Sequence, residues 1–270
     1  FPTRRSSDLS RFIDGEWTAV STSEVPSVRG LLQTSDGSVW VAAFDGSGLH
    51  FVRYRDGLWV RFDEGFRANG LVPMVESVDG SIWAGTESGV VRYDGSDWQT
   101  FTSADGLAGT LMPSDSPHGF LTASDGSVWV CLAGDDAPLD GKGGVSRYDG
   151  GNWTSFTRAD GLAGLYGLSI TEAADGTIWV GTETGVSQFV GGWRAFPELD
   201  LPPTTNADDA PHLFVAADGA VWLVGKGQVA RYNGRDWEKF PEADVHIGSA
   251  VYATLATSDG AIWASTSDGL

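Results

Sequence analysis

The side chains that could do chemistry are few and lie between apolar runs. Of four histidines, His118, His212 and His246 fall in such intervals, and the first two precede their Asp-Gly by similar distances. Neutral imidazole binds borderline cations and titrates near neutrality, so clustered loop histidines would imply a metal or acid–base centre. The spacing for that chemistry is missing, since there is no His-x-x-x-His and no Glu-bearing zinc motif. The single cysteine, Cys131, excludes an intrachain disulfide and a four-cysteine metal site. It follows Trp-Val at a position held elsewhere by Ala42, Gly85, Gly181, Val224 and Ser265, which marks small-residue packing and not a nucleophile. Glu87 and Glu183 each follow Gly-Thr. The insertion at 132–143 carries Asp135, Asp136 and Asp140 without the alternating oxygen ligands of a calcium loop. No nucleophile elbow, phosphate loop or dinucleotide fingerprint is present. The expectation is therefore a binding protein with no cofactor, no metal and no catalytic residue. Its ligand contacts are expected from groups that hydrogen-bond or stack in the loops: Arg67, Glu87, His118, Tyr166, Glu183, His212 and His246.

The elements that must hold these loops repeat. DGSVW (36–40), DGSIW (79–83), DGSVW (125–129), DGTIW (175–179), DGAVW (218–222) and DGAIW (259–263) form one series. FIDGEW (12–17), YRDGLW (54–59), YDGSDW (93–98), YDGGNW (148–153), FVGGW (189–193) and YNGRDW (232–237) form a second, half a repeat later. The two series together use all 12 tryptophans. Each unit reads as four short strands, A to D, with Asp-Gly at every A–B junction, where a type I′ turn with two positive φ angles is expected. No long window keeps a 3.6-residue apolar period free of Gly and Pro, so helices should be scarce. Units of roughly 40 to 45 residues with four strands each predict a β-propeller. The tryptophans are expected in its blade-to-blade core. The A–B and C–D turns keep a near-constant length while the B–C and D–A loops vary, which places loop-borne function at one end of the blades.

The expected fold is thus all-β, a propeller of about six four-stranded blades or a fragment of a larger one, over residues 10–270. Blades are expected at about 28–62, 72–102, 117–157, 166–196 and 210–240, with a closing blade from 250–270 plus 10–20. Residues 1–9, FPTRRSSDL, resemble a translated sequencing adapter and are expected to be a non-native tail, which would put the natural start and any signal peptide or anchor upstream. Composition removes other classes. A net charge of −19 with three lysines repels phosphate backbones, so nucleic acid is not an expected partner. No apolar run is long enough for a membrane helix, so this segment is not expected to insert.

DGSIWAGTESGVVRYDGSDWQTFTSADGLAG (79–109) and DGTIWVGTETGVSQFVGGW (175–193) resemble the two-component regulator propeller repeat. The shared pattern is Asp-Gly, Trp-Val/Ile-Gly-Thr, Gly-Val/Leu-x-Arg-Tyr and a linking Asp-Gly-Leu, here at 105–107 and 160–162. The fifth unit departs from it with Val224-Gly225-Lys226-Gly227, and the first lacks Gly-Thr. The resemblance implies the periplasmic or extracellular sensor part of a bacterial signalling protein that binds a small molecule or glycan. It also implies a kinase or regulator domain downstream. Two other propeller groups share parts of the rhythm: tectonin-type lectins, which imply carbohydrate binding, and streptogramin-type lyases, which imply a metal-dependent enzyme. The Trp-Phe-Thr element of the lyases is absent.

Overall fold

A computed structural model describes residues 9–20, 27–68, 70–109, 119–133, 143–199, 201, 211–225, 227–240 and 251–266. The chain divides into two compact units, Phe1–Thr100 and Phe101–Leu270. In the first, β1 (Leu9–Ile13) and β2 (Glu16–Val20) form a hairpin, followed by a sheet of β3 (Val28–Gln33), β4 (Val39–Asp45), β5 (Gly48–Arg55) and β6 (Leu58–Phe66). A second sheet contains β7 (Met74–Glu76), β8 (Ile82–Thr86), β9 (Gly89–Tyr93) and β10 (Trp98–Phe101), whose last residue opens the second unit. The third sheet has β11 (Phe120–Thr122), β12 (Val128–Ala133), β13 (Gly143–Tyr148) and β14 (Trp153–Phe156). The fourth has β15 (Gly167–Glu172), β16 (Ile178–Thr182), β17 (Gly185–Phe189) and β18 (Trp193–Ala195). The fifth has β19 (His212–Val215), β20 (Val221–Gly225), β21 (Gln228–Tyr232) and β22 (Trp237–Phe240), and β23 (Val251–Ala256) pairs with β24 (Ile262–Thr266) as a second hairpin. Every sheet is an antiparallel meander in chain order, so the protein is all-β with blades of the β-propeller type. Helical structure among the described residues is limited to the 3₁₀ turns Ser103–Asp105, Arg158–Asp160 and Pro197–Leu199. No helix of the described residues is long and apolar enough to cross a membrane.

The turn chemistry differs from the expected type I′ at the A–B junctions. There only the glycine is left-handed (φ 81° at Gly37, Gly80 and Gly219), and Asp14 and Asp56 are the non-glycine residues with positive φ among those described. In the first sheet Gly37 N–H donates to the Thr34 carbonyl and Thr34 N–H to that of Ser38, a type I turn closed by a glycine bulge. Three residues, not two, span the closing pair, and the aspartate braces them. Its Oδ1 accepts the Thr34 hydroxyl (2.7 Å) and the Ser38 N–H (2.9 Å), anchoring the turn before the glycine. The two-residue geometry with both φ positive occurs instead at C–D junctions, at Asp14–Gly15 (52° and 84°) and Asp56–Gly57 (50° and 82°).

The same aspartates receive a cation from strand C. Arg55, Arg92, Arg147 and Arg231 reach Asp36, Asp79, Asp125 and Asp218 at 2.7 to 2.8 Å. Three of these guanidiniums also lie over the strand B indole beside them, Arg92 on Trp83, Arg147 on Trp129 and Arg231 on Trp222. In the first sheet the tasks are split, with Arg53 over Trp40 and Arg55 on Asp36. The fourth sheet has Gln188 opposite Trp179 and lacks the cation.

Within each unit, one packing rule joins neighbouring sheets. The strand B tryptophan stacks on a strand D phenylalanine of its own sheet and meets the C and D aromatics of the next. Trp40 packs on Phe62, Tyr93 and Trp98; Trp129 on Phe156, Phe189 and Trp193; Trp179 on Phe196, Tyr232 and Trp237. Trp40, Trp83, Trp129 and Trp179 are buried and most second-series indoles half-buried, as expected for a blade core. Trp17 (72% exposed) and Trp263 (57%) depart from that expectation. Both sit in the two-stranded hairpins, where no strand of the same sheet covers them. Carboxylates add cross-sheet ties: Ser35 gives its N–H and hydroxyl to Glu76, and Ser124 does the same to Glu172.

Candidate functional site

A meander puts its A–B and C–D turns at one end of the sheet and its B–C turn and D–A loop at the other. The second end holds Arg67, Glu87, Tyr166, Glu183 and His212, and its construction differs from sheet to sheet.

In the first unit, the first sheet has longer strands than its neighbour and ends in a charged row. Asp45, the last residue of β4, accepts the Ser47 amide (2.7 Å) and hydroxyl (2.5 Å) and the Arg61 guanidinium (2.9 Å). Arg61 also holds Asp63 at 2.7 Å, and the His50 Nδ1, on a side chain 1% exposed, lies 3.7 Å from Asp45. The Ser47 hydroxyl, its amide and then Arg61 hold the Asp45 carboxyl well below the usual carboxylate range. Arg61 is pushed up, first by Asp63 and, against some burial, by Asp45. Sequence reasoning passed over this row. Its trace is the stretch from Trp40 to Tyr54, longer than that from Trp83 to Tyr93, which adds residues to β4 and β5 and brings Asp45 and His50 onto one hairpin. Arg67 and Glu87 meet through the backbone, the Glu87 N–H donating to the Arg67 carbonyl at 2.9 Å. Arg67 is exposed and Glu87 half-buried.

In the second unit Glu183 begins the B–C turn of the fourth sheet and is 9% exposed. Its Oε1 accepts the Leu165 N–H (2.7 Å) and its Oε2 the Tyr166 N–H (2.9 Å), so one carboxylate organises the loop segment that leads into β15. Thr184 ties the same segment by donating its hydroxyl to the Ala163 carbonyl at 2.7 Å. Gly164 leaves room for this carboxylate, since a Cβ there would stand 2.3 Å from Glu183 Oε2 and push it from its amides. Tyr166 is buried and packs with Ala133 and Leu168. His212 opens β19 opposite Val224 and is 8% exposed, and the preceding Pro211 carbonyl accepts the Ser169 hydroxyl at 2.7 Å. The structure thus joins Arg67 with Glu87 and Tyr166 with Glu183, and places His212 on the sheet next to the latter pair. His118, His246 and the inserted residues 134–142 lie outside the described residues.

Among the described residues no group of three or more His, Cys, Asp or Glu side chains could hold a metal. Cys131 is buried against Gly167, where a Cβ would come within 2.7 Å of its sulfur, and burial pushes its thiol above the ordinary value. A thiol so placed is a packing group, which agrees with its small-residue register. The linking Asp-Gly-Leu segments are likewise structural. Thr102 and Thr157 form capping boxes with Asp105 and Asp160, and the Ala108 and Ala163 N–H groups donate to the buried hydroxyls of Ser146 and Ser187.

No family model and no curated protein matches the sequence. Solved structures do. The extracellular domain of BT3049 from B. thetaiotaomicron, named as a hybrid two component system, aligns at TM-score 0.63 and 17% identity over 96% of this chain and 36% of its own. PorZ, a bacterial surface component of the type-IX secretion system of Porphyromonas gingivalis, aligns at 0.66 and 14% over 97% of this chain and 42% of its own. A virginiamycin B lyase from Staphylococcus aureus, solved as a catalytically inactive variant with quinupristin, aligns at 0.58 and 17% over 95% and 84%. The chain therefore spans less than half the length of BT3049 and PorZ. At these identities the likeness establishes the fold, and the neighbours are propellers.

Proposed function

We propose that this chain is the ligand-sensing β-propeller in the extracytoplasmic part of a bacterial two-component-type regulator, of the two-component regulator propeller repeat kind. The observation that carries the reading is the contrast within each sheet: one end repeats the same Asp-centred turn, and the other holds unlike polar groups from sheet to sheet. The family motifs and the likeness to the BT3049 extracellular domain support it. In this reading Arg67, Glu87, Tyr166, Glu183 and His212, with His118 and His246 from the remaining loops, contact a small molecule or glycan without transforming it. A kinase or regulator domain carries the output, and the chain works in the periplasm or outside the cell. Calorimetry with a panel of glycans and small metabolites tests the assignment. A hit whose binding is lost in Arg67→Ala or Glu87→Ala, with apo melting unchanged, is the expected result; binding retained in alanine variants of all seven residues overturns the site.

The second reading is a lyase, favoured by the alignment over most of the virginiamycin B lyase chain. Incubation with quinupristin and a divalent cation is expected to leave the compound intact, and turnover would replace the sensor reading. The tectonin-like lectin reading predicts glycan binding by the isolated chain with no attached signalling domain.

A further inference from the structure

The Asp-Gly pairs among the described residues divide into two chemical classes. At the A–B turns both reactive groups are occupied. Asp36, Asp79, Asp125, Asp175, Asp218 and Asp259 each accept the N–H two residues on, most with a hydroxyl or an arginine as well. The amide of the glycine that follows donates to the turn carbonyl in every case, from Gly37 to Gly260. Asp94 and Asp149 hold two later amides, Asp105 and Asp160 close capping boxes, Asp45 is tied to Ser47 and Arg61, and the Asn233 carbonyl of Asn233–Gly234 takes two N–H groups.

Asp56–Gly57 is different. It is the two-residue turn between β5 and β6, whose ladder closes at Arg55 and Leu58. The Asp56 side chain is 89% exposed, and its nearest cation, Arg55 Nε at 3.6 Å, belongs to a guanidinium already bound to Asp36 at 2.7 Å. Among the described residues none hydrogen-bonds its carboxylate or accepts from the Gly57 amide. Asp14–Gly15 has the same dihedral angles.

We propose that Asp56–Gly57, with Asp14–Gly15 as its counterpart, is a site of spontaneous covalent modification, conversion of aspartate to isoaspartate through a succinimide. The Gly57 nitrogen attacks Asp56 Cγ, the new C–N bond forms as the C–O bond breaks, and the amide proton leaves with the hydroxyl as water. Water then adds to the Asp56 carbonyl carbon, breaking its bond to the Gly57 nitrogen, so that the main chain runs through Cγ. Atoms balance and nothing is oxidised or reduced. Reaction at Asp36 or Asp79 would first break the bonds that hold the carboxylate. It also needs the neutral acid, which is scarce where the Thr34 hydroxyl holds Asp36 down to about 2. The product inserts a backbone carbon into the turn that sets the Tyr54–Trp59 pairing, and so loosens the outer edge of the first sheet.

The test is to incubate the folded chain in mildly acidic buffer made with heavy-oxygen water, then map peptides by mass spectrometry with electron-transfer fragmentation. Label and isoaspartate are expected at Asp56 at least about tenfold faster than at Asp36 or Asp79, given the bonds those sites must break. In denaturant the rates should converge. Equal labelling of Asp36 and Asp56 in the folded chain overturns the proposal. So does an unlabelled Asp56 on the timescale at which the unfolded chain reacts. Asp56→Glu, which disfavours the five-membered ring, is expected to abolish label in that peptide; persisting label also refutes the assignment.

Discussion

The two ends of each sheet are built on different logic. At the A–B end of the first and second sheets the same atoms recur: Thr34, Asp36, Ser38 and Arg55 in one, Ser77, Asp79, Ser81 and Arg92 in the other. At the loop end the same two sheets share little. One carries the Asp45–Arg61–Asp63 row beside buried His50, and the other a tight turn in which the Thr86 hydroxyl donates to the Gly89 carbonyl. The repeated end is closed by the turn's own residues, within a few positions of one another, and braced by one arginine from strand C of the same sheet. The variable end depends on partners brought together by the fold, so its residues are free to differ and to specialise.

That contrast can be broken at several points. The largest effect is expected in the core on which both ends stand. Trp179→Ala empties the cluster with Phe196, Tyr232 and Trp237 and should cost about 3–5 kcal/mol in urea unfolding. Next is a loop-end position set by close approach. At Gly144 (φ 145°) a Cβ would stand 2.0 Å from the Phe156 carbonyl oxygen, so Gly144→Ala should destabilise by about 1–3 kcal/mol. Gly37→Ala meets open space and bears only the positive φ, about 1 kcal/mol by the same assay. Glu183→Gln leaves one acceptor oxygen for two amides and should cost about 1–2 kcal/mol. Arg67→Ala should stay within about 0.5 kcal/mol while removing ligand affinity.

Acid tests the repeated end directly. The Thr34 hydroxyl first, and then the Ser38 amide, hold Asp36 at about 2; against burial, Ser77 and Ser81 do the same for Asp79. Depressed carboxyls stabilise the fold above their unfolded value, near 3.8, and that contribution is lost as pH falls through about 2. Urea midpoints should therefore fall over that window, and more shallowly in the double variant Asp36→Asn with Asp79→Asn. An unchanged slope would mean the turn carboxylates contribute nothing to stability.

The four-stranded unit, its period, the order of its strands and the burial of the first four tryptophans of the first series were legible because each depends on short-range pattern: Asp-Gly turns, alternating apolar residues and an aromatic at fixed spacing. The turn type was not. Two Asp-Gly dipeptides, Asp36–Gly37 and Asp56–Gly57, adopt different geometries according to whether three residues or two span the closing pair of the strands, and only in the longer turn does the aspartate hold the amide two residues on. The loop end was legible only as a list of residue types. Sequence could place Glu183 in a B–C turn, but only tertiary structure decided that its two oxygens close on Leu165 and Tyr166, residues of a different loop. The same holds for Asp45, whose partner Arg61 arrives from the far edge of the sheet. Local hydrogen bonds close over a few residues and so are written in the motif itself, whereas a bond between distant strands exists only once packing has set their spacing.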